Sequence, residues 1–170
     1  MARVEEDFIS IDHKGIPYRL LEFFMTGFGV GYSPIAPGTV GTVLGFLIFV
    51  PFQKVPLFYT LPFLLLLFGI GVYTTGFAFF IFGKEDPSYI VIDEMVAILL
   101  VLFLLPRSII WWVFGFLLFR LFDITKPFGI RKAEHLPKGW GVMADDILAA
   151  FYTLLILRPI HYLIDLGLVL

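Results

Sequence analysis

The chain has 170 residues, 59% of them hydrophobic and 15% charged, with a net charge of −2 and no cysteine. A soluble domain is usually about 45–50% apolar and about 25% charged, so a mean hydropathy of +0.95 points to lipid as the solvent. The charge balance argues against nucleic acid as a partner. The lack of cysteine excludes disulfides, thiolate metal sites and cysteine nucleophiles.

In chain order, residues 1–19 mix Arg3, Lys14 and Arg19 with Glu5, Glu6, Asp7 and Asp12, and have no apolar core of signal-peptide length. Residues 20–30 read as an interfacial or partly inserted helix. Five spans follow, against a hydrocarbon core of roughly 30 Å that takes about 17–25 residues as a helix. The first runs over 38–52 and is closed by Pro51. The second covers 56–82 without a charged side chain. The third covers 89–105 and carries Asp93 and Glu94 near its polar end. After the Pro106-Arg107 turn the fourth runs over 108–122. The fifth opens at Asp145 and ends or bends near Leu157, where Arg158, Pro159, His161 and Asp165 interrupt it. Continuous Phe, Leu and Ile runs lack the alternation of a barrel, and unpaired backbone is too costly in lipid for open strands. The expected fold is all-α, a polytopic membrane helical bundle forming one domain over 1–170. Residues 1–30 form its cytoplasmic or interfacial segment.

Positive charge sets the orientation. With five spans, Arg3, Lys14, Arg19, Lys84, Lys126, Arg131, Lys132 and Lys138 share one side, with Arg120 just inside a helix end. Lys54 and Arg107 share the other. The N-terminus is expected in the cytoplasm. Asp86, Asp93, Glu94, Asp123, Asp145 and Asp146 then gather at the cytoplasmic interface. Carboxylates gathered there suit a divalent metal and an anionic substrate held in the membrane.

Four segments can carry that chemistry. In SPIAPGTVGT (33–42) two prolines precede a helix start whose free N–H groups suit a phosphate. Gly38 and Gly41 permit close approach, and Thr39 and Thr42 add hydroxyls; the plainer reading is a proline-capped helix packed through small residues. In DPSYIVIDE (86–94) the acids follow Ile90, Val91 and Ile92, and carboxylates among apolar residues near lipid are costly and usually functional. Asp93 and Glu94 point about 100° apart on a helix, so one ion reaches both only near the axis end or between helices. In FRLFDITKPFGIR (119–131) Arg120, Asp123 and Lys126 recur every third residue on one face, as a phosphate clamp with a metal ligand or as an ion-pair stripe. KGWGVMADD (138–146) brings a glycine-rich approach to two acids, of which Asp145 also fits a helix cap. His13, His135 and His161 lack ligand spacing, and Trp111 and Trp112 fit an interfacial aromatic belt.

These four blocks, in this order from about 27 to 150, resemble bacterial phosphatidylglycerophosphatase A. The resemblance implies a magnesium-dependent, multi-pass enzyme of the bacterial inner membrane. Its active site would face the cytoplasm, and it would remove the terminal phosphate of phosphatidylglycerophosphate to leave phosphatidylglycerol in the bilayer. It implies a metal set of Asp86, Asp93, Glu94, Asp123, Asp145 and Asp146, all but Asp86 also catalytic. It implies substrate contacts from Gly38, Thr39, Gly41, Arg120 and Lys126. The chain departs from the family pattern at Gly129 (often Pro), Glu134 (often Asp), Ala97 and Ala150 (often Gly). These departures touch the loop after Lys126 and the helix packing and leave the main carboxylates intact. A lipid phosphatase of broader range is the near alternative. A transporter would place polar groups at the midplane and show repeats, and a lipid-binding scaffold would need no metal. Oligomeric state is not legible.

Overall fold

The computed structural model describes residues 18–168. The readings that rest on Arg3, Glu5, Glu6, Asp7, Asp12, His13 and Lys14 fall outside those residues. Every regular element among the described residues is helical. The first helix, α1 (Tyr18–Met25), buries Leu21 and Met25, four residues apart, and exposes Tyr18, Leu20 and Phe23. The chain then turns through Gly27 and Phe28, both at positive φ, into a 3-10 turn at Val30–Tyr32. A Cβ on Gly31 would lie 1.9 Å from the Tyr89 carbonyl oxygen, so this contact requires glycine. The Val91 N–H donates to the Met25 carbonyl at 3.0 Å. The α1 hairpin therefore clasps the 86–91 segment that leads to the acidic pair.

Helix α2 (Pro37–Phe52) starts where Ala36 adopts a left-handed conformation and Pro37 supplies a fixed φ at the first helical position. Gly41 and Gly45 face α5 (Ile92–Leu104). A Cβ on them would sit 2.6 Å from Val91 Cβ and 2.5 Å from Ile98 Cγ2. Small residues at this face let the two backbones approach closely. Helix α5 is the centre of the bundle, with eight of its residues buried. Around it pack α2, α3 (Leu57–Thr75), α6 (Ile109–Thr125) and α8 (Gly139–Asp165). Two short helices, α4 (Ala78–Phe82) and α7 (Ile130–Ala133), lie in the connections. One apolar cluster joins Phe49, Leu64, Ile98, Leu102 and Phe119; a second, with Met25, Ile90, Val96 and Met143, ties α1 to α5 and α8.

Three boundaries differ from the sequence reading. The expected span over 56–82 is two helices, broken at Gly76 and Phe77. At the break the end of α3 abuts the start of α8 backbone to backbone. A Cβ on Gly139 would lie 2.1 Å from Val72 O and 2.8 Å from Gly76 N. The last long helix begins at Gly139, six residues ahead of Asp145, and passes through Pro159 to Asp165, so of an end or a bend near Leu157 the end is excluded. Asp145 is consequently inside a helix and caps nothing. Trp112 turns inward against Phe49, ring centroids 5.0 Å apart, rather than standing in a surface belt, while Trp111 meets His161.

Among the described residues two helices, α3 and α8, are long and apolar enough to cross a membrane; α2 is a shorter apolar helix. Helices α2, α5 and α6, of 16, 13 and 17 residues, rise only about 20–26 Å at about 1.5 Å per residue, short of a hydrocarbon core of roughly 30 Å. The outward faces are nonetheless apolar: Phe58, Leu65, Phe114, Leu117 and Leu155 are all exposed. An apolar surface of this extent calls for lipid or protein against it.

Candidate active site

The polar ends of four helices and one loop enclose a cleft of about 380 Å³, and all six sequence-predicted carboxylates line it. The 86–90 loop contributes Asp86, Pro87, Ser88 and Ile90. The first turn of α5 contributes Asp93 and Glu94, the end of α6 Arg120, Asp123 and Lys126, and α8 Asp145 and Asp146. The opening of α2 contributes Pro37 and Gly38. Asp93 and Glu94 are adjacent yet share the site, because they occupy the helix end where both side chains reach the space between α5 and α8. Each of Asp93, Glu94 and Asp146 brings a carboxylate oxygen within 4.8 Å of the other two.

Charge and hydrogen bonding are unbalanced here. Six carboxylates face two cations, Arg120 and Lys126. Asp123, Asp145 and Asp146 are 9%, 5% and 2% exposed, so water cannot solvate them freely. Asp93 Oδ1, Glu94 Oε2, Asp145 Oδ1 and Asp146 Oδ2 are enclosed and have no hydrogen-bond partner among the described residues. Buried polar atoms are normally paired, and each orphan calls for an explanation. An all-oxygen donor set with excess negative charge fits a hard divalent cation. The residues present therefore fit such an ion, with Asp93, Glu94 and Asp146 as its nearest holders.

The two cations have separate partners. Arg120 Nη1 donates to Asp123 and, at 3.2 Å, to Thr42 Oγ1, and lies 3.7 Å from Glu94 Oε1. Gly38 makes this crowding possible, since a Cβ there would lie 2.1 Å from Glu94 Oε1 and 3.4 Å from Arg120 Nη1. Lys126 ends α6 in a left-handed conformation. Its ammonium donates to Asp145 at 2.5 Å and to Glu134 at 2.6 Å. Burial alone would lower the pKa of Lys126, but hydrogen bonds to Asp145 and Glu134 outweigh it and hold the pKa above the ordinary lysine value.

Gly38 is therefore at the cleft, as are all the predicted carboxylates, Arg120 and Lys126. Gly41 instead packs on Val91, and Thr39 is not part of the lining. Sequence reading missed the Lys126–Glu134 pair and the Thr42–Arg120 hydrogen bond. The first crosses an irregular turn, and the second joins residues 78 apart in sequence, so neither leaves a periodic signal. Gly129 stands at φ 87°, a value closed to proline.

A profile of phosphatidylglycerophosphatase A matches residues 23–161. A Haemophilus influenzae phosphatidylglycerophosphatase A is 40% identical over 149 residues, 84% of this chain and 89% of that protein. The Escherichia coli phosphatidylglycerophosphatase A is 37% identical over 139 residues, 78% of this chain and 77% of that one. A Bacteroides thetaiotaomicron protein, provisionally named a phosphatidylinositol-3-phosphatase, is 38% identical over 151 residues, 82% of this chain and 92% of its own. No solved structure matches. With its four motif blocks gathered at one cleft and most of its length matched, the chain belongs to the phosphatidylglycerophosphatase A family.

Proposed function

We propose that this protein is a membrane-embedded lipid phosphatase that hydrolyses the terminal phosphate monoester of phosphatidylglycerophosphate, giving phosphatidylglycerol and phosphate. The observation that carries the reading is the meeting of six carboxylates, Arg120 and Lys126 in one cleft of a chain from this family. The bundle sits in the membrane with five spans, α2, α3, α5, α6 and α8, the three shorter ones served by a locally thinned bilayer. The inner membrane with the cleft toward the cytoplasm is supported by Lys84, Lys126, Arg131, Lys132 and Lys138 at the cleft end, against Lys54 and Arg107 at the other.

The cofactor is magnesium, held by Asp93, Glu94 and Asp146 with Asp86, Asp123 and Asp145 close by; the unpartnered enclosed oxygens support this set. When bound, magnesium offsets phosphate charge and acidifies an attacking water. The chain does the rest. Arg120 and Lys126 hold phosphate oxygens and offset the charge that builds on them. The narrow, carboxylate-walled cleft admits the headgroup and leaves the tails in lipid. A water oxygen bonds to phosphorus as the ester P–O bond breaks; a cleft carboxylate takes the water's proton and returns it to the departing alkoxide.

The test is phosphate release by purified protein from vesicles containing phosphatidylglycerophosphate, with magnesium and with excess chelator. Release that stops with chelator is expected. Full release in chelator removes the metal reading, and no release in magnesium removes the substrate. Because one relative carries an inositol-lipid name, phosphatidylinositol 3-phosphate and phosphatidic acid are run beside it. Equal rates on all three would favour a phosphatase of broader range.

A further inference from the structure

One buried hydroxyl lies behind the cleft rather than in it. Thr42 is fully enclosed, one turn into α2 beyond Gly38. A hydroxyl has one proton to give and lone pairs to accept with. Thr42 Oγ1 donates to Gly38 O at 2.8 Å. With its proton so committed, the oxygen turns a lone pair to Arg120 Nη1, which donates to it at 3.2 Å. Nη1 also donates to Asp123 and lies near Glu94. That nitrogen is spent on the protein. Nη2 has no acceptor among the described residues and is not among the enclosed unpartnered atoms, while Arg120 itself lines the cleft. A guanidinium is a rigid planar fork. Fixing one Nη therefore fixes the direction of the other.

We infer that Thr42 is a positioning residue for the phosphatase reaction: it touches no substrate, but anchors Arg120 through Nη1 so that Nη2 is presented to a phosphate oxygen in the cleft. The inference rests on the phosphatase reading and on Arg120 as its phosphate clamp. It gives the second threonine of the GTVGT run a role distinct from cradling phosphate directly. It also links the first turn of α2 to the end of α6, because without Thr42 the guanidinium keeps only the Asp123 hydrogen bond, three residues along the same helix, and the looser Glu94 ion pair at 3.7 Å.

The test is a double-mutant cycle on Mg-dependent phosphate release, with melting temperature in detergent measured for each protein. Thr42→Val, which keeps the shape and removes the hydroxyl, lowers kcat/KM about tenfold, the order expected for loss of one hydrogen bond to a charged group. Thr42→Ala, with less bulk, shows the same loss, which guards against a Val-specific packing fault. Thr42→Ser keeps the hydroxyl and restores most of the rate. In an Arg120→Gln background Thr42→Val adds less than about twofold, since its effect runs through the guanidinium. A full tenfold penalty on top of Arg120→Gln, a Ser variant as poor as Val, or wild-type kcat/KM in Thr42→Val beside an inactive Arg120→Gln overturns the positioning role alone. Wild-type turnover in Arg120→Gln overturns the clamp and the inference with it.

Discussion

Asp93 and Asp146 approach one another from different helices with enclosed oxygens that no group among the described residues satisfies. Converting either to Asn keeps the volume, removes a charge and places an amide where a hard cation would need an anion. Asp93→Asn and Asp146→Asn are each expected to cut kcat by more than about a hundredfold, beyond what loss of a ligand's supporting hydrogen bond costs. Melting temperature in detergent should hold or rise, because like charges are relieved. Near-normal release in both variants would sink the metal set. Lys126 offers a second check at this scale. Its ammonium is shared by Asp145 and Glu134, so Glu134→Gln leaves Lys126 more strongly drawn to Asp145. KM for the lipid should rise by several-fold, about the value of one charge-assisted hydrogen bond. Unchanged KM would detach Glu134 from the site. The acidic pair was legible in sequence because ions beside Ile90, Val91 and Ile92 are too costly to be idle. Thr42 and Glu134 were not, because what they do depends on a partner that the fold supplies from elsewhere in the chain.

At the scale of elements, glycine decides how closely backbones meet. Gly38 leaves room for the Glu94 carboxylate, and an added Cβ would sit 2.1 Å from Oε1. Gly38→Ala should therefore displace Glu94 and Arg120 and lower turnover by about a hundredfold, the cost of misplacing reacting groups by about 1 Å, with little change in melting temperature. Gly139→Ala is the converse. Its Cβ would meet Val72 O, Thr75 Oγ1 and Gly76 N, where backbone cannot yield. An overpacking penalty of about 1–3 kcal/mol should appear as a lower melting temperature, read by static light scattering on heating. This junction also explains why the start of α8 was not legible. Gly139 and Gly141 carry poor helix propensity and read as a turn, but the contact with α3 and the close pass of Gly141 against Glu134 O accept only a residue without a side chain. Tertiary packing overrode propensity. The helix start marked by Pro37 was legible because proline's preference for the first turn is local.

For the whole molecule the question is which way the bundle faces. The chain has no cysteine, so single cysteines introduced at Lys54, Lys84 and Lys132 report without background. With membrane-impermeant maleimide on sealed inverted vesicles, positions 84 and 132 should label and 54 should not. Labelling of all three would rule out the five-span arrangement, and labelling of 54 alone would reverse its orientation. The convergence of six carboxylates from one loop and three helices was legible as soon as spans were counted, because an alternating path places every second turn on the same side. The length of each helix was not, since α5 is only 13 residues long and is set by packing amid the other helices.

The lining of the cleft has a wider consequence. It is built of carboxylates, two cations, small residues and just two aliphatic side chains, Ile90 and Ile124. Nothing in it measures a fatty acid. A cell that retailors chain length or unsaturation as it warms and cools would then need no second version of this catalyst, for every species of the lipid presents the same few polar atoms to the same wall.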